Sequence, residues 1–312
     1  MASGHQAALR SERSRPRSLV VLYAVVTRIG PYRIVKLLGR GGMAEVSLGI
    51  AVGASGFEKQ VALKQLRPEL RGDATLERLL IEEARLGARL SHRNLVQVHD
   101  LGVEAGIYFV RMDYVDGGDV ATRLRAGTPP VGIALHLVGE VLAALAYLHA
   151  AVGADGRPLG LLHRDVSPSN LLVSRAGDVK LTDLGLAKAT LLRDQTRANV
   201  RKGTYAYMSP EQVAGAPLGP ASDLFSAGVL LHELVSGVRP FDGDSPHATM
   251  QKIVQGEPTW HPSVPDDLRA VLATCFEKSP RHRIGDADAL RKKIGALQTQ
   301  RADSVDLVRW FF

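Results

Sequence analysis

The length, composition and charge of the chain set the first limits on its class. Its 312 residues can form one or two compact units, and 45% apolar with 23% charged residues excludes a largely disordered chain. The net charge of +7 would suit nucleic acid or a membrane surface, but much of the arginine excess lies in the first 28 residues, so neither partner is expected.

The N-terminal segment and the cysteine content bear on localisation. Residues 1–28 form an Arg-rich leader that we expect to be poorly ordered. The apolar stretch at residues 19–26 is too short to cross a bilayer as a helix, so no membrane span is predicted. Cys275 is the single cysteine, which prevents an intramolecular disulfide and favours a cytoplasmic location.

The first third of the chain predicts a small sheet with one helix. A helix with apolar residues at helical spacing begins after its capping residue Asp73 and continues to Ser91. Short β-rich runs predict strands over residues 32–38, 44–50, 60–66, 95–101 and 107–114.

Beyond Gly117 and Gly118 the pattern becomes mainly helical. A hairpin is predicted over residues 171–174 and 179–182. Apolar periodicity predicts helices over residues 133–149, 221–235, 246–256, 266–277 and 286–298, with Gly237 ending the second of them and Ser245 starting the third.

Three glycines, Gly39, Gly41 and Gly42, join the first two predicted strands. A dinucleotide-binding fingerprint needs a turn from a strand into a helix, so this segment does not match one. Two interpretations remain open from the residues alone. The segment is either an ordinary hairpin turn or a loop that covers phosphates.

The third predicted strand contains Val-Ala-Leu-Lys, in which alternation places Ala62 and Lys64 on one face. Lysines on strands are usually solvated. The following helix, however, offers Glu82 and Glu83, and either carboxylate could pair with Lys64 and direct its ammonium group toward phosphate oxygens.

The segment His-Arg-Asp-Val-Ser-Pro-Ser-Asn contains Asp165 and Asn170, and the predicted hairpin after it leads into Asp183-Leu184-Gly185. A buried structural Asp or Asn would explain these residues only one at a time. Phosphoryl transfer needs a carboxylate that receives the hydroxyl proton and oxygen ligands for Mg²⁺. The spacing therefore favours a phosphoryl-transfer site.

Together these motifs resemble the signature set of protein kinases, and they occur in the family's order. The resemblance covers about residues 29–299 and includes Ser209-Pro210-Glu211 in place of Ala-Pro-Glu. Its nearest branch is the eukaryotic-like (Hanks-type) bacterial serine/threonine kinases, which often carry Gly-Gly-Met-Ala in the glycine loop. It implies an α+β, bilobed fold with a small antiparallel N-lobe (29–115), a larger helical C-lobe (116–299) and a C-terminal tail (300–312).

The resemblance also implies the chemistry: ATP with Mg²⁺ (or Mn²⁺), and serine or threonine hydroxyls of protein substrates as acceptors. Lys64 would hold the α- and β-phosphates and Glu83 would pair with it. Asp165 would be the catalytic base, and Asn170 and Asp183 would hold the metal. The residues placed around ATP are Gly39, Gly41, Gly42, Val46, Ala62, Lys64, Met112, Asp113, Val115, Asp119 and Leu172.

Further roles follow from the same resemblance. Met112 would be the gatekeeper, residues 113–115 the hinge that meets adenine, and Asp119 a ribose contact. Thr204 would bond to Asp165, as in serine/threonine kinases. Arg164 would pair with a phosphate on the activation segment, which offers Thr190 and Thr196; Thr196 is favoured, and the phosphate would be added by an upstream kinase or in trans. Glu211 would pair with Arg283, and Asp223 would brace the catalytic loop.

The sequence departs from the family pattern at three positions, and one of them bears on an alternative function. Ala44 replaces the third glycine, Leu184 replaces phenylalanine, and Ser167 stands where most serine/threonine kinases carry a lysine that contacts the transferred phosphate. Because of Ser167, the second hypothesis is a pseudokinase, a binding scaffold that has the kinase fold but does not catalyse transfer. The Gly203-Thr204 and Ser-Pro-Glu segments argue against a small-molecule phosphotransferase, and only net charge supports a nucleic-acid binder.

Overall fold

The computed structural model describes residues 28–185, 204–297 and 302–312. The described chain forms a small β-rich lobe followed by a larger, mainly helical lobe, which confirms the predicted α+β, bilobed fold. Thr190, Thr196 and Gly203 lie outside the described residues, and so does nearly all of the leader.

The small lobe contains the strands β1 (Arg28–Ile29), β2 (Tyr32–Arg40), β3 (Ala44–Val52), β4 (Glu58–Leu66), β5 (Val98–Glu104) and β6 (Ile107–Asp113). They form a six-stranded antiparallel sheet with strand order β1-β2-β3-β4-β6-β5. Alternation along β4 places Val61 and Leu63 on one face, and Ala62 and Lys64 on the other. The register pairs Val46 with Lys64 and Ala62 with Met112.

One helix, α1 (Ala74–Gly87), covers the Ala62 face of this sheet. It begins where the Asp73 carboxylate accepts hydrogen bonds from the amides of Thr75 and Leu76, which satisfies donors at the helix start. Its buried residues pack against Ala62 and Met112. The helix therefore fixes the position of every side chain on its inner face relative to β4.

The predicted strand over residues 95–101 begins three residues later than expected. The Val96 amide donates to the Leu181 carbonyl, and the Leu181 amide donates to Asn94, both outside the large sheet. These residues instead connect the small lobe to Leu181 in the larger lobe, so sheet pairing begins only at Val98.

The larger lobe combines a three-stranded sheet with helices. The sheet contains β7 (Gly117–Asp119), β8 (Leu171–Ser174) and β9 (Val179–Leu181). The helices are α2 (Val120–Leu124), α3 (Val131–His149), α4 (Pro210–Ala214), α5 (Pro220–Ser236), α6 (Pro246–Gln255), α7 (Asp266–Phe276), α8 (Ala287–Gly295) and α9 (Ser304–Phe311).

Helix α3 is the centre of this lobe and packs against α5 and α8. Among the described residues it is the one helix long and apolar enough to cross a membrane by length and composition. Nine of its residues are buried inside the protein, from Ile133 to Leu148, so packing in the core explains its apolar character. Helix α5 ends at Gly237, whose φ of 76° favours glycine.

Helix α9 was not predicted. Its N-cap, Asp303, accepts hydrogen bonds from the amides of Val305 and Asp306. Leu307 and Phe311 are buried in the core of the larger lobe, whereas Val305 on the opposite face is exposed. The segment between residues 302 and 312 is thus an ordered part of this lobe.

Candidate active site

A cleft of about 1060 Å³ lies between the two lobes. It is bounded by the glycine turn and β3 above, by residues 113–119 behind, and by β8 and the segment ending at Gly185 below. Every residue that the sequence analysis placed around ATP lines it: Gly39, Gly41, Gly42, Val46, Ala62, Lys64, Met112, Asp113, Val115, Asp119 and Leu172.

Lys64 occupies the inner wall of the cleft between two carboxylates. Its Nζ lies 2.6 Å from Glu83 Oε1 and 2.7 Å from Asp183 Oδ1. Helix α1 turns Glu83 toward the strand and leaves Glu82 exposed, so the geometry selects Glu83. Burial acts to lower the pKa of Lys64, but Asp183 and Glu83 outweigh it, and the pKa is raised above its ordinary value.

The loop that carries Asp165 is held from beneath by Asp223, near the start of α5. The Asp223 carboxylate accepts hydrogen bonds from the amides of His163 (2.8 Å) and Arg164 (2.7 Å), and its Oδ2 lies 2.9 Å from His149 Nε2. The carboxylate is 1% exposed. Arg164 has φ of 66°, a left-handed conformation that a non-glycine residue adopts only when its surroundings hold it there.

Asn170 and Asp183 present oxygen atoms in the part of the cleft beside Lys64. The Asn170 side-chain amide donates to the Asp165 carbonyl at 2.8 Å, which leaves Asn170 Oδ1 as the acceptor of that side chain. The Asn170 carbonyl in turn accepts from the Thr182 amide, directly before Asp183. Asp183 has φ of 61°.

This donor set fits Mg²⁺. Hard oxygen ligands suit that ion, which is commonly held by one or two protein carboxylates together with substrate phosphates. No group of three or more His, Cys, Asp or Glu residues among the described residues could hold a metal by itself. The fit is therefore to a metal shared between protein and phosphate, with Asn170 and Asp183 as the protein's share.

The rear wall of the cleft shows interactions that the sequence analysis missed. Asp113 Oδ1 lies 2.7 Å from His99 Nε2 on β5. Asp119 begins helix α2 by accepting from the amide and the hydroxyl of Thr122, both at 2.7 Å. Asp is among the preferred N-cap residues, so Asp119 ahead of Val-Ala-Thr was a local signal that could have located this short helix.

The start of α4 is tied to both the catalytic loop and the far side of the lobe. Arg283 Nη1 and Nη2 donate to the two Glu211 oxygens at 2.7 and 3.0 Å, so the expected pair is present. The Gln212 side chain donates to the Arg164 carbonyl at 2.9 Å, a contact that the sequence did not indicate. Thr204 begins a 3₁₀ helix, but its side chain lies outside the described part of the structure.

Ser167 does not line the cleft, unlike Asp165 and Asn170 in the same loop. Its side chain is buried, and its hydroxyl lies 3.0 Å from the Ser169 hydroxyl. Ser169 does line the cleft. Most serine/threonine kinases are expected to carry a lysine at this position. With Ser167 in its place, this chain has no positive charge there.

A two-lobed chain with a nucleotide-sized cleft, a buried lysine between two carboxylates and a braced Asp-loop has the architecture of protein kinases. Residues 32–294 match the family model described as protein kinase domain. The chain belongs to the protein kinase domain family.

Individual relatives agree with this assignment. The tyrosine-protein kinase MasK of Myxococcus xanthus is 38% identical over 269 residues, covering 83% of this chain and 42% of that protein. The serine/threonine-protein kinase PrkC of Bacillus subtilis is 33% identical over 270 residues, covering 85% and 40%. The crystal structure of the PknI kinase domain of Mycobacterium tuberculosis aligns with a TM-score of 0.65 and 27% identity, covering 87% and 98%.

The predicted resemblance to bacterial kinases is thereby confirmed. This chain spans less than half the length of the two bacterial relatives compared by sequence.

Proposed function

We propose that this chain transfers the γ-phosphoryl group of ATP to serine or threonine hydroxyls of protein substrates. The observation that carries the proposal is the assembled set of Lys64, Glu83 and Asp183 in the cleft that Asp165 also lines. A buried lysine held between two carboxylates in a cleft is the arrangement expected of a site that binds and aligns phosphates.

Each residue of the site has a separate role in an in-line phosphoryl transfer. Asp165 orients the acceptor hydroxyl and takes its proton as the oxygen attacks the γ-phosphorus, while the bond from that phosphorus to the bridging oxygen breaks and ADP leaves. Lys64 holds the α- and β-phosphates, and Glu83 keeps its ammonium in place. Mg²⁺ or Mn²⁺, held by Asn170 and Asp183, would neutralise charge on the phosphates when bound.

The test is a transfer assay with Mg²⁺-ATP and a peptide mixture containing Ser, Thr and Tyr acceptors. We expect Asp165→Ala to lose roughly 10² to 10⁴ in kcat, the usual contribution of a general base. Asp155→Ala is the matched control, because Asp155 is an exposed loop carboxylate. Full turnover by Asp165→Ala would overturn the mechanism.

The acceptor has a second candidate, tyrosine, because one relative, at 38% identity, is named a tyrosine-protein kinase. Serine and threonine are supported by the Gly203-Thr204-Tyr205 segment and by relatives named serine/threonine-protein kinases. Phosphoamino-acid analysis of the product separates the two. Phosphotyrosine as the main product would replace the serine/threonine proposal.

Regulation is proposed to act through Arg164. Its Nε is buried and has no hydrogen-bond partner within the described residues, which suits a guanidinium that receives a phosphate. We propose Thr196 as the phosphate carrier, added by an upstream kinase or by a second copy in trans. If mass spectrometry of active enzyme finds Thr196 unmodified and Thr196→Ala retains full activity, this switch is absent.

The cellular location and role of the protein are also part of the proposal. We propose a role in cytoplasmic signalling, where ATP and reducing conditions coincide, with protein substrates rather than nucleic acid as partners. Fractionation of cells followed by immunoblotting tests the location.

A further inference from the structure

Helix α9 packs on the outer side of the elements that form the floor and rear of the cleft. The Phe311 ring covers the backbone beside Asp119, since a Cβ at Gly118 would lie 3.4 Å from Phe311 Cε1. A Cβ at Gly177, in the turn between β8 and β9, would lie 2.9 Å from Ser304 Cβ. The helix thus touches both β7 and the β8–β9 turn.

A third contact holds helix α2. Arg123 Nε donates to the Trp310 carbonyl at 2.8 Å, and its guanidinium lies 4.4 Å from the centre of the Trp310 ring. Such a cation–π contact adds about 0.5–1 kcal/mol at an exposed site and more where it is desolvated. Helix α2 has only five residues, so it depends on contacts of this kind for its order.

The inner sides of these same elements carry nucleotide-facing residues. Asp119 ends β7 and begins α2, and Leu172 pairs with it in register on β8. Both line the cleft, whereas Phe311 and Leu307 lie on the opposite side, buried in the core. A single layer of backbone therefore separates helix α9 from the floor of the nucleotide site.

We infer that helix α9 is a clamp that positions Asp119 and Leu172 for nucleotide binding, with Phe311 and Arg123 as positioning residues. The inference rests on the proposed use of ATP. When the clamp is weakened, the competent arrangement of β7 and α2 is populated less, and the Kd for ATP rises by the inverse of that population. Chemistry at Asp165 is unaffected once ATP is bound.

The experiment is equilibrium binding of a fluorescent ATP analogue to the full chain, with far-UV circular dichroism showing each variant to be folded. We expect Phe311→Ala to raise the Kd roughly 3- to 10-fold, corresponding to a fall of the competent population to between a third and a tenth. Arg123→Ala should also raise the Kd, and it removes no side chain from the hydrophobic core. Val305→Ala is the matched control, because Val305 is 53% exposed on the other face of the same helix.

Steady-state kinetics distinguish a positioning role from a purely structural one. The KM for ATP should rise in Phe311→Ala and Arg123→Ala while kcat and the KM for the peptide stay unchanged. A lowered melting temperature with an unchanged Kd in both variants would overturn the inference. Wild type that binds the analogue without transferring phosphate would refute only the proposed activity, and wild type that fails to bind it would refute both.

Discussion

At the scale of single residues, Lys64 shows how the cleft keeps a charged group out of water. Burial acts to lower its pKa, but the nearby carboxylates of Asp183 and Glu83 raise it more, so the ammonium stays protonated through the physiological range. Two carboxylates against one ammonium leave the local charge negative. That excess suits a site that also receives a divalent cation.

Replacing Lys64 by methionine should abolish phosphoryl transfer and leave the chain folded. Methionine keeps the apolar volume of the lysine stem but supplies no cation for the phosphates. Initial rates and a thermal melt measure the two effects. Lys59→Met, on the exposed end of the same strand, is the control and should keep full activity. Turnover near wild type in Lys64→Met would show that this lysine does not serve the phosphates.

Ser167 tests whether the site is catalytically competent without the usual lysine. We expect wild type to turn over, because Lys64, the glycine loop and a bound metal still neutralise phosphate charge. Ser167→Lys should raise kcat, by at most roughly 10² to 10³, the cost of one lost donor at a developing oxyanion. The assay compares wild type, Ser167→Lys and Asp165→Ala. Wild type as inactive as Asp165→Ala, beside an active Ser167→Lys, would establish the pseudokinase alternative.

At the scale of elements, the catalytic loop and the Asp183 segment are held against each other at Gly185. The Gly185 amide donates to the His163 carbonyl at 2.8 Å. A Cβ added at Gly185 would lie 2.9 Å from Asp165 Cβ and 3.1 Å from His163 O. No flexible side-chain end is available there to move aside, so glycine is required for the two segments to meet.

Gly185→Ala should therefore displace Asp165 and lower kcat by roughly 10- to 100-fold, since small misplacements of reacting groups are costly. Gly139→Ala, in helix α3, is the matched control, because a Cβ there meets no atom within 4 Å. The control should keep its activity and gain about 0.4–1 kcal/mol of stability. Equal activity of the two variants would mean that the close approach at Gly185 has no catalytic consequence.

At the scale of the whole molecule, stability depends on groups that the fold buries in one protonation state. His163 donates from Nε2 to the Thr182 carbonyl, while its Nδ1 accepts from the Asp165 amide, so the ring is neutral. Burial lowers the pKa of His163 and of His232 below the ordinary value of 6.5. The unfolded chain therefore binds more protons than the native one as pH falls.

The melting temperature should accordingly be highest near neutral pH and fall as pH drops below about 6.5, since stability rises with pH wherever the unfolded state binds more protons. Each such histidine contributes at most about 1.4 kcal/mol per pH unit. Burial raises the pKa of Glu83, which acts in the opposite direction. Comparing the slope of wild type with that of His232→Phe isolates one histidine. Identical slopes between pH 7 and 5.5 would contradict this account.

Local pattern and family resemblance were enough to predict the class of the fold and the residues that line the cleft. Apolar periodicity located most helices and strands, since the helical and strand periods are properties of the local chain. The spacing of Asp165, Asn170 and Asp183 indicated phosphoryl transfer, because that chemistry demands those oxygen atoms in one place. The acceptor and the switch at Thr196 stay predictions.

Packing between segments distant in the chain set the features that the local pattern left open. The residue pattern alone left Glu82 and Glu83 open, and only the family resemblance favoured Glu83; the docking of α1 against β4 is what turns Glu83 toward Lys64. Strand β5 starts late because residues 94–96 pair with Leu181, a partner far along the chain. Helix α9 is short, so its order comes from packing of Leu307 and Phe311 on distant elements rather than from intrinsic propensity, and no local signal could reveal its place behind the cleft.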